Sequence, residues 1–286
     1  MRIAVTGSHG LVGSALVPFL ETAGHQVQRI GRRKDWELDL AGLDAAGAVV
    51  HLAGENIAAG RWSASKKERI LRSRTESTAA LVRHLAGMKH PPRVLVCASA
   101  IGIYGDRGPE LLDETSPAGS GFLAEVCRAW EKAAAAASAG GTRVVSLRFG
   151  MILSSEGGAL ARMLRPFRLG LGGRIGNGSQ YLSWIGIDDA AGAILYAIGQ
   201  ESLAGPVNAV APEPLTNRDF TRRLGKVLHR PALFPLPAFA ARLAFGEMAD
   251  ALLLCSTRVV PSRLLQSGYR FRDPDLKEAL HRILGR

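Results

Sequence analysis

The sequence predicts an α/β fold: a doubly wound parallel sheet, with a smaller lobe on its carboxyl side. Three observations carry that expectation. Short β-branched runs alternate with amphipathic stretches, the pattern of successive βα units. The first of these runs passes directly into Gly7, Gly10 and Gly13, spaced G-x-x-G-x-x-G where a helical pattern opens. Beyond Gly150 the alternation gives way to glycine-rich and then proline-rich sequence, which marks a change of architecture.

Taken in order, strands are expected at residues 3–5, 26–30, 48–52, 94–98 and 144–147, with helices at 11–23, 65–86 and 122–138. The link 31–47 is short and polar, so any crossover helix there is reduced. Glycines crowd 157–178, and helices fit 159–169, 190–198 and 217–228. Aromatic-rich 181–187 reads as a strand or an ordered loop, 207–210 as a further strand, and proline-rich 231–237 as a break. These features place a nucleotide-binding domain at 1–155, with core strands and helices continuing to about residue 230. A mixed substrate lobe at 156–286 should close over the carboxyl ends of the strands, where ligands bind in open α/β sheets.

With 286 residues, 47% hydrophobic and 21% charged, the chain can bury a sizeable core. The most apolar late stretch, 238–245, is broken by Arg242, and no run is long enough to span a membrane, so no membrane partner is expected. The chain opens on a strand rather than on a charged and then apolar leader, which points to the cytoplasm. Cys97, Cys127 and Cys255 are far apart and the histidines are scattered, so reduced thiols and no metal site are expected. A net charge of +11 raises the question of nucleic acid. The bases, chiefly arginine, are spread from end to end without interleaved aromatics, which favours a small anionic nucleotide or substrate instead. The chain is expected to act as a monomer or a homodimer.

The glycine spacing has a physical reading. Gly7 permits a tight turn, Gly10 lets backbone N–H groups approach a pyrophosphate, and Gly13 lets the helix pack close to the strand. Ser8, His9, Leu11 and Val12 complete this turn, whose helix N-terminus offers oriented donors to an anion. His9 either touches phosphate or fills a turn position. An NAD site usually carries a carboxylate at the end of the second strand; here that position reads Gly31-Arg32-Arg33-Lys34. Arg32 or Arg33 can fork onto a 2′-phosphate, so the expected cofactor is NADP(H). Asp39 and Leu40 lie where an adenine ring would be met. Leu52, Ala53, Gly54 and Glu55 follow the third strand and pass close to the cofactor, whereas His51 reads as either a contact or a satisfied strand-end histidine.

The chain resembles the atypical, extended branch of the short-chain dehydrogenases/reductases. More narrowly, it resembles the epimerase family of NADP-binding, nucleoside-diphosphate-sugar-epimerase-like proteins. The matching stretches are 6–13 (TGSHGLVG), 52–57 (LAGENI), Arg61-Trp62, Ser73-Arg74, 99–105 (SAIGIYG) and 148–150 (RFG). Further on come 166–173 (PFRLGLGG), 184–189 (WIGIDD), 246–248 (GEM), and Pro261 with 268–271 (GYRF). The resemblance implies a Rossmann sheet and a small characteristic C-terminal segment at about 235–286. It also implies a cofactor or substrate contact for Arg74.

Active members of the wider superfamily carry a Tyr-x-x-x-Lys pair on a helix, where the lysine charge lowers the tyrosine pKa. The matching positions here are Leu123 and Cys127, and Ala100 stands where a Ser or Thr is usual, with Ser99 beside it. Other groups must therefore serve. Ser99 is a candidate for a substrate carbonyl or the nicotinamide, and Tyr104 for a proton donor or a packing residue. Cys127 reads as a thiol donor or a buried cysteine, and Glu125 as solvent-exposed. Residues 177–184 have the glycine, polar and aromatic mixture of a substrate loop, and Asp188-Asp189 reads as a helix cap. Two functions follow from the resemblance. One is an NADP(H)-dependent oxidoreductase or epimerase acting on a small polar, nucleotide-sugar-like substrate; the other is a non-catalytic NADP(H)-binding regulator or scaffold.

Overall fold

The computed structural model describes residues 1–33 and 36–285. Six parallel strands form its central sheet: β1 (Arg2–Thr6), β2 (Gln26–Ile30), β3 (Ala48–His51), β4 (Val94–Ala100), β5 (Arg143–Phe149) and β6 (Gly205–Ala209). Across the sheet they run β2-β1-β3-β4-β5-β6. The chain moves outward from β1 to β2 and then returns to β3 on the other side of β1, in register Thr6 to His51. This reversal opens a crevice at the carboxyl ends of β1 and β3, the place where open α/β sheets take their ligands. β3 is buried along its whole length and reads as an apolar run, Ala48 to Val50, ending in the buried His51, because helices cover both faces.

Helices α1 (Leu11–Thr22), α2 (Ala64–Ala86), α3 (Phe122–Ala135) and α5 (Ile187–Gly199) cover these strands, while α4 (Gly158–Arg168) lies off the sheet. Leu16, Val17 and Leu20 of α1 join Ala190, Ile194 and Ala197 of α5 on one face. Leu81 and Leu85 of α2 join Trp130 and Ala134 of α3 on the other. The helix expected to reach residue 138 ends at Ala135 and tightens into a 3-10 turn, Ala136–Gly140. The described part of the β2–β3 link carries short 3-10 structure such as Leu43–Ala45, in keeping with a reduced crossover. β6 forms the far edge of the sheet.

A third core gathers Leu164 and Phe167 of α4, Phe220 and Leu224 of α6 (Asn217–Val227), and Leu276 and Leu280 of a C-terminal helix. The chain beyond residue 235 forms α7 (Ala238–Phe245), a π-helical turn at Ala249–Leu254, α8 (Ser262–Gln266) and α9 (Leu276–Ile283). Three two-stranded ribbons tie distant segments together: Leu111–Leu112 with Arg258–Val259, Met151–Leu153 with Trp184–Gly186, and Tyr181–Leu182 with Leu215–Thr216. Among the described residues, no helix is long and apolar enough to cross a membrane.

Candidate nucleotide-binding site

Gly7 has φ +69°, the left-handed region where glycine carries no steric cost. A Cβ on it would lie 2.7 Å from the Leu52 carbonyl carbon and 2.8 Å from the Ala53 nitrogen, so the ends of β1 and β3 touch only because this residue has none. A Cβ on Gly13 would sit 2.3 Å from the Gly7 oxygen. The first turn of α1 thus packs against the glycine turn at the end of β1. Gly10 donates its N–H to Gly7 O (2.9 Å) and stands at the N-cap of α1 without a side-chain cap hydrogen bond. No acidic residue lies in the first turn of that helix. Its amides and positive dipole end are therefore left for an anion. Ser8 is buried while His9 is exposed beside it. Leu11 lies against Gly157 and Gly158, and Val12 packs on the core of the sheet.

Beneath the turn runs a hydrogen-bonded relay built on Thr6, a residue the sequence reading passed over. Its Oγ1 accepts from the N–H groups of Leu52 (3.2 Å) and Ala53 (3.3 Å) and stands 2.7 Å from His51 Nδ1. The Thr6 hydroxyl then donates to Nδ1, and Nε2–H donates to Thr78 Oγ1 (3.0 Å), which in turn donates to the Arg74 carbonyl. His51 is fully buried with both ring nitrogens satisfied. Burial, aided by the charge of Arg74, lowers its pKa to about 4 and keeps it neutral.

After β2, Gly31 accepts from Asp39 N–H (2.9 Å), closing a small loop. Arg33 Nη2 donates to Asp39 Oδ1 (2.8 Å), and Arg32 lays its guanidinium over the Trp36 ring at 4.4 Å. The residues assigned to a 2′-phosphate and to an adenine contact, Arg33 and Asp39, thus pair with each other. Arg32 has no carboxylate partner among the described residues. Leu40 packs against the second core, and Lys34 lies outside the described residues.

On the other side of the crevice, a Cβ on Gly54 would stand 3.2 Å from Arg74 Cζ. Arg74 Nη1 donates to the Glu55 carbonyl and the Ile70 carbonyl, both at 3.1 Å, and its guanidinium faces the Trp130 ring at 5.0 Å. Burial lowers the Arg74 pKa, against the pull of Cys127 and Glu55. The Glu55 carboxylate accepts from the buried Lys66 ammonium (2.5 Å). Gly7, Leu52, Ala53, Gly54, Glu55 and Arg74 are therefore brought together along one crevice.

The catalytic candidates are placed differently. Ser99 Oγ donates to Glu131 Oε1 (2.7 Å), and Arg148 grips both oxygens of that carboxylate at 2.8 Å. Arg148 Nη1 also donates to the Tyr104 hydroxyl (2.9 Å), which donates to Asn208 Oδ1 (2.8 Å). Tyr104 is 0% exposed, and burial raises its pKa against the charge of Arg148. Its hydroxyl hydrogen is committed inside the protein, so the geometry gives the packing arrangement rather than an open proton donor. Leu123 lies against Gly102, and burial pushes the Cys127 thiol up to about 11. Trp184 of the expected substrate loop is fully buried, with Nε1 donating to the Glu213 carbonyl.

Asp188 and Asp189 correct another expectation. The N-cap of α5 is Gly186, and Asp189 instead accepts from the Tyr269 hydroxyl and from the N–H groups of Arg272 and Asp273. Asp188 pairs with Arg272 at 3.1 Å. No sequence signal links residues so far apart. Among the described residues, no group of His, Cys, Asp and Glu is arranged to hold a metal ion.

The strand order and the glycine turn at its reversal point define a Rossmann-type α/β protein. The chain belongs to the NAD dependent epimerase/dehydratase family, whose model matches residues 3–209; residues 236–283 match a domain of unknown function, DUF1731. It is 41% identical over 292 residues to an epimerase family protein of Mycobacterium leprae, covering 97% of this chain and 94% of that one. It is 40% identical over 294 residues to epimerase family protein SDR39U1 of Bos taurus, covering 99% and 100%. Among solved structures it resembles human epimerase family protein SDR39U1 (isoform 2) with NADPH. The TM-score is 0.91 at 35% identity, covering 100% of this chain and 99% of that one.

Proposed function

We propose that this chain is a cytoplasmic, NADP(H)-dependent oxidoreductase or epimerase of the atypical short-chain dehydrogenase type, acting on a small polar substrate of the nucleotide-sugar class. The observation that carries the reading is the cradle at the β1–β3 crevice. Gly7 and Gly13 sit where any Cβ would collide with backbone, so the turn closes tightly on the ends of β1 and β3, and the start of α1 beside it carries neither a side-chain cap nor a first-turn acid. The residues present fit a dinucleotide. The turn from Gly7 to Gly13 would hold the pyrophosphate, Arg32 and Arg33 a 2′-phosphate, and Asp39 with Leu40 the adenine. Leu52 to Glu55, Arg74 and Ser99 would line the path toward the nicotinamide, which supplies hydride chemistry when bound. The human relative solved with NADPH supports the choice of cofactor.

Fluorescence titration tests the cofactor. NADPH is expected to bind at least about tenfold more tightly than NADH, with Arg32→Ala or Arg33→Ala erasing the difference. Equal affinities in the unaltered protein would remove the 2′-phosphate assignment.

A second reading, a regulator or scaffold that binds NADP(H) without turning it over, has its own observation. Leu123 and Cys127 occupy the usual Tyr and Lys positions, and the hydroxyls of Ser99 and Tyr104 are both spent on internal partners. NADPH oxidation over a panel of carbonyl substrates separates the two. Slow turnover supports the enzyme, whereas tight binding without turnover supports the regulator.

A further inference from the structure

Away from the β1–β3 crevice, the C-terminal lobe holds a cavity of about 730 Å³ between α6 and the segments around Arg174 and 229–235. Six of its lining residues are basic: Arg174, Arg218, Arg222, Lys226, His229 and Arg230. Among the described residues no carboxylate lines it. The site shares no residue with the crevice and goes beyond the function proposed above.

The charges are set out along a helix face. Arg218, Arg222 and Lys226 stand four apart on α6, with Thr221 and Gly225 between them on the same stripe. Like charges at that spacing repel one another; Lys226 in the last turn suits the helix dipole, but Arg218 in the first turn opposes it. Only Arg222 among these three has a carboxylate partner among the described residues, Asp219 on the same helix at 2.8 Å. Arg218 and Arg230 donate instead to the backbone carbonyls of Asn177 (3.1 Å) and Arg168 (3.0 Å), which fixes two guanidinium groups without neutralising them.

Two further observations point to a ligand. Thr221 lines the cavity at 4% exposure, and its hydroxyl has no hydrogen-bond partner among the described residues. Of the buried side-chain polar atoms left so among the described residues, this one belongs to a residue lining the basic cavity, where a bound group would satisfy it. His229, just past the C-cap of α6, has φ +54°, a position where glycine is the usual residue. The chain accepts that strain and so carries an imidazole at the cavity rim.

The walls are built rather than loose. A Cβ on Gly225 would lie 2.9 Å from the Arg230 oxygen, and one on Gly173 would overlap the Phe234 carbonyl at 2.0 Å. Phe234 N–H donates to Gly172 O (3.1 Å) and Leu236 N–H to Arg174 O (2.9 Å), which stitches the two loops together. Pro231, Leu233 and Pro235 supply an apolar side to the same cavity.

We propose that this cavity is a second anion site, taking a ligand that carries a chain of phosphate groups, with its apolar wall set against the remainder of that ligand. Guanidinium groups fork onto phosphate oxygens, and the volume is that of a small-molecule pocket. The Thr221 hydroxyl would donate to the same oxygens.

Calorimetric titration of the full chain with sodium tripolyphosphate, in the presence of saturating NADPH, tests this. Saturable binding is expected, weakened at least about tenfold in Arg222→Gln/Lys226→Gln and less in Thr221→Val, with NADPH affinity unchanged. No tripolyphosphate binding in the unaltered protein, or equal binding in the double variant, overturns the site. Because Arg222 and Lys226 are exposed on α6, the double variant should keep its circular dichroism spectrum, and loss of binding then reports on the pocket. Vesicles separate two sources of the phosphate. Sedimentation with phosphatidylglycerol vesicles but not with phosphatidylcholine vesicles, lost in the double variant, would show that isolated lipid phosphates suffice and would overturn the phosphate-chain assignment. Tripolyphosphate binding without sedimentation assigns a soluble polyphosphate.

Discussion

His51 links the glycine turn to Arg74 through Thr6 and Thr78, and it does so only while neutral, since Nδ1 must accept. Its folded-state pKa of about 4 lies below the ordinary value of 6.5. The native state therefore resists a proton that the unfolded chain takes up readily. The contribution to stability is complete above pH 6.5 and is lost as pH falls toward 4, by about 3 kcal/mol for a displacement of this size. Urea unfolding followed against pH should show that loss, and His51→Gln should flatten the slope in the same window. An unchanged slope would remove His51 as its source. Glu131 gives a second test at this scale. It neutralises the nearly buried Arg148 in a two-point pair and also receives Ser99. Glu131→Gln is expected to cost about 3 kcal/mol, because it leaves a buried charge uncompensated. Ser99→Ala should cost less, about 1.5 kcal/mol, the low end for a hydrogen bond to a charged group, because Arg148 still pairs with the carboxylate. A similar cost for both in urea unfolding would contradict the ion-pair account.

The elements of the sheet were legible because their signals are local. β2 spans Gln26–Ile30 as expected and α1 begins at Leu11, since alternation, helical periodicity and glycine spacing are all written within a few residues. What escaped notice is held by partners far away in sequence. The Leu111–Leu112 ribbon needs Arg258–Val259 beside it, and neither dipeptide carries a strand signal of its own. Asp189 looked like a helix cap because its real partners lie between Tyr269 and Asp273. The site divides in the same way. The cradle of Gly7 and Gly13 was readable, whereas Thr6, Glu131 and Asn208 became visible only through the tertiary hydrogen bonds they make. α1 also supplies a prediction that belongs to an element rather than a residue. Gly13→Ala places a methyl group 2.3 Å from the Gly7 oxygen, so the helix must withdraw from the turn. Overpacking of this kind costs about 1–3 kcal/mol. NADPH affinity should fall with it, because the helix start and the turn share one geometry. A Gly13→Ala protein that keeps both its urea midpoint and its NADPH affinity would show that the two are not coupled.

At the scale of the molecule, the boundary between the two matched family segments near residue 236 suggests two separable units, and the contacts argue against that. Leu264 of α8 and the Tyr269 and Phe271 rings complete the same core as α1 and α5. Leu276 and Leu280 of α9 fill the core of α4 and α6. Arg263 Nη1 donates to the carbonyls of Ala204 and Pro206, and Asn208 Nδ2 to that of Val260, so the edge strand β6 is bound to the last segment from both ends. Asp189 holds that segment down, being 2% exposed and accepting from two of its backbone N–H groups. The pieces should therefore melt together. Calorimetry is expected to give a single transition, and Asp189→Ala should lower it as a whole by about 1–3 kcal/mol, because the buried Asp273 N–H and the part-buried Arg272 N–H lose their acceptor. Truncation after residue 235 would expose the apolar faces of α4, α5 and α6 at once. The shortened chain should lose cooperative unfolding and bind an apolar dye. A truncated protein that melts cooperatively and still binds NADPH would establish that the C-terminal segment is an independent domain. It would also free the cofactor crevice from any dependence on it.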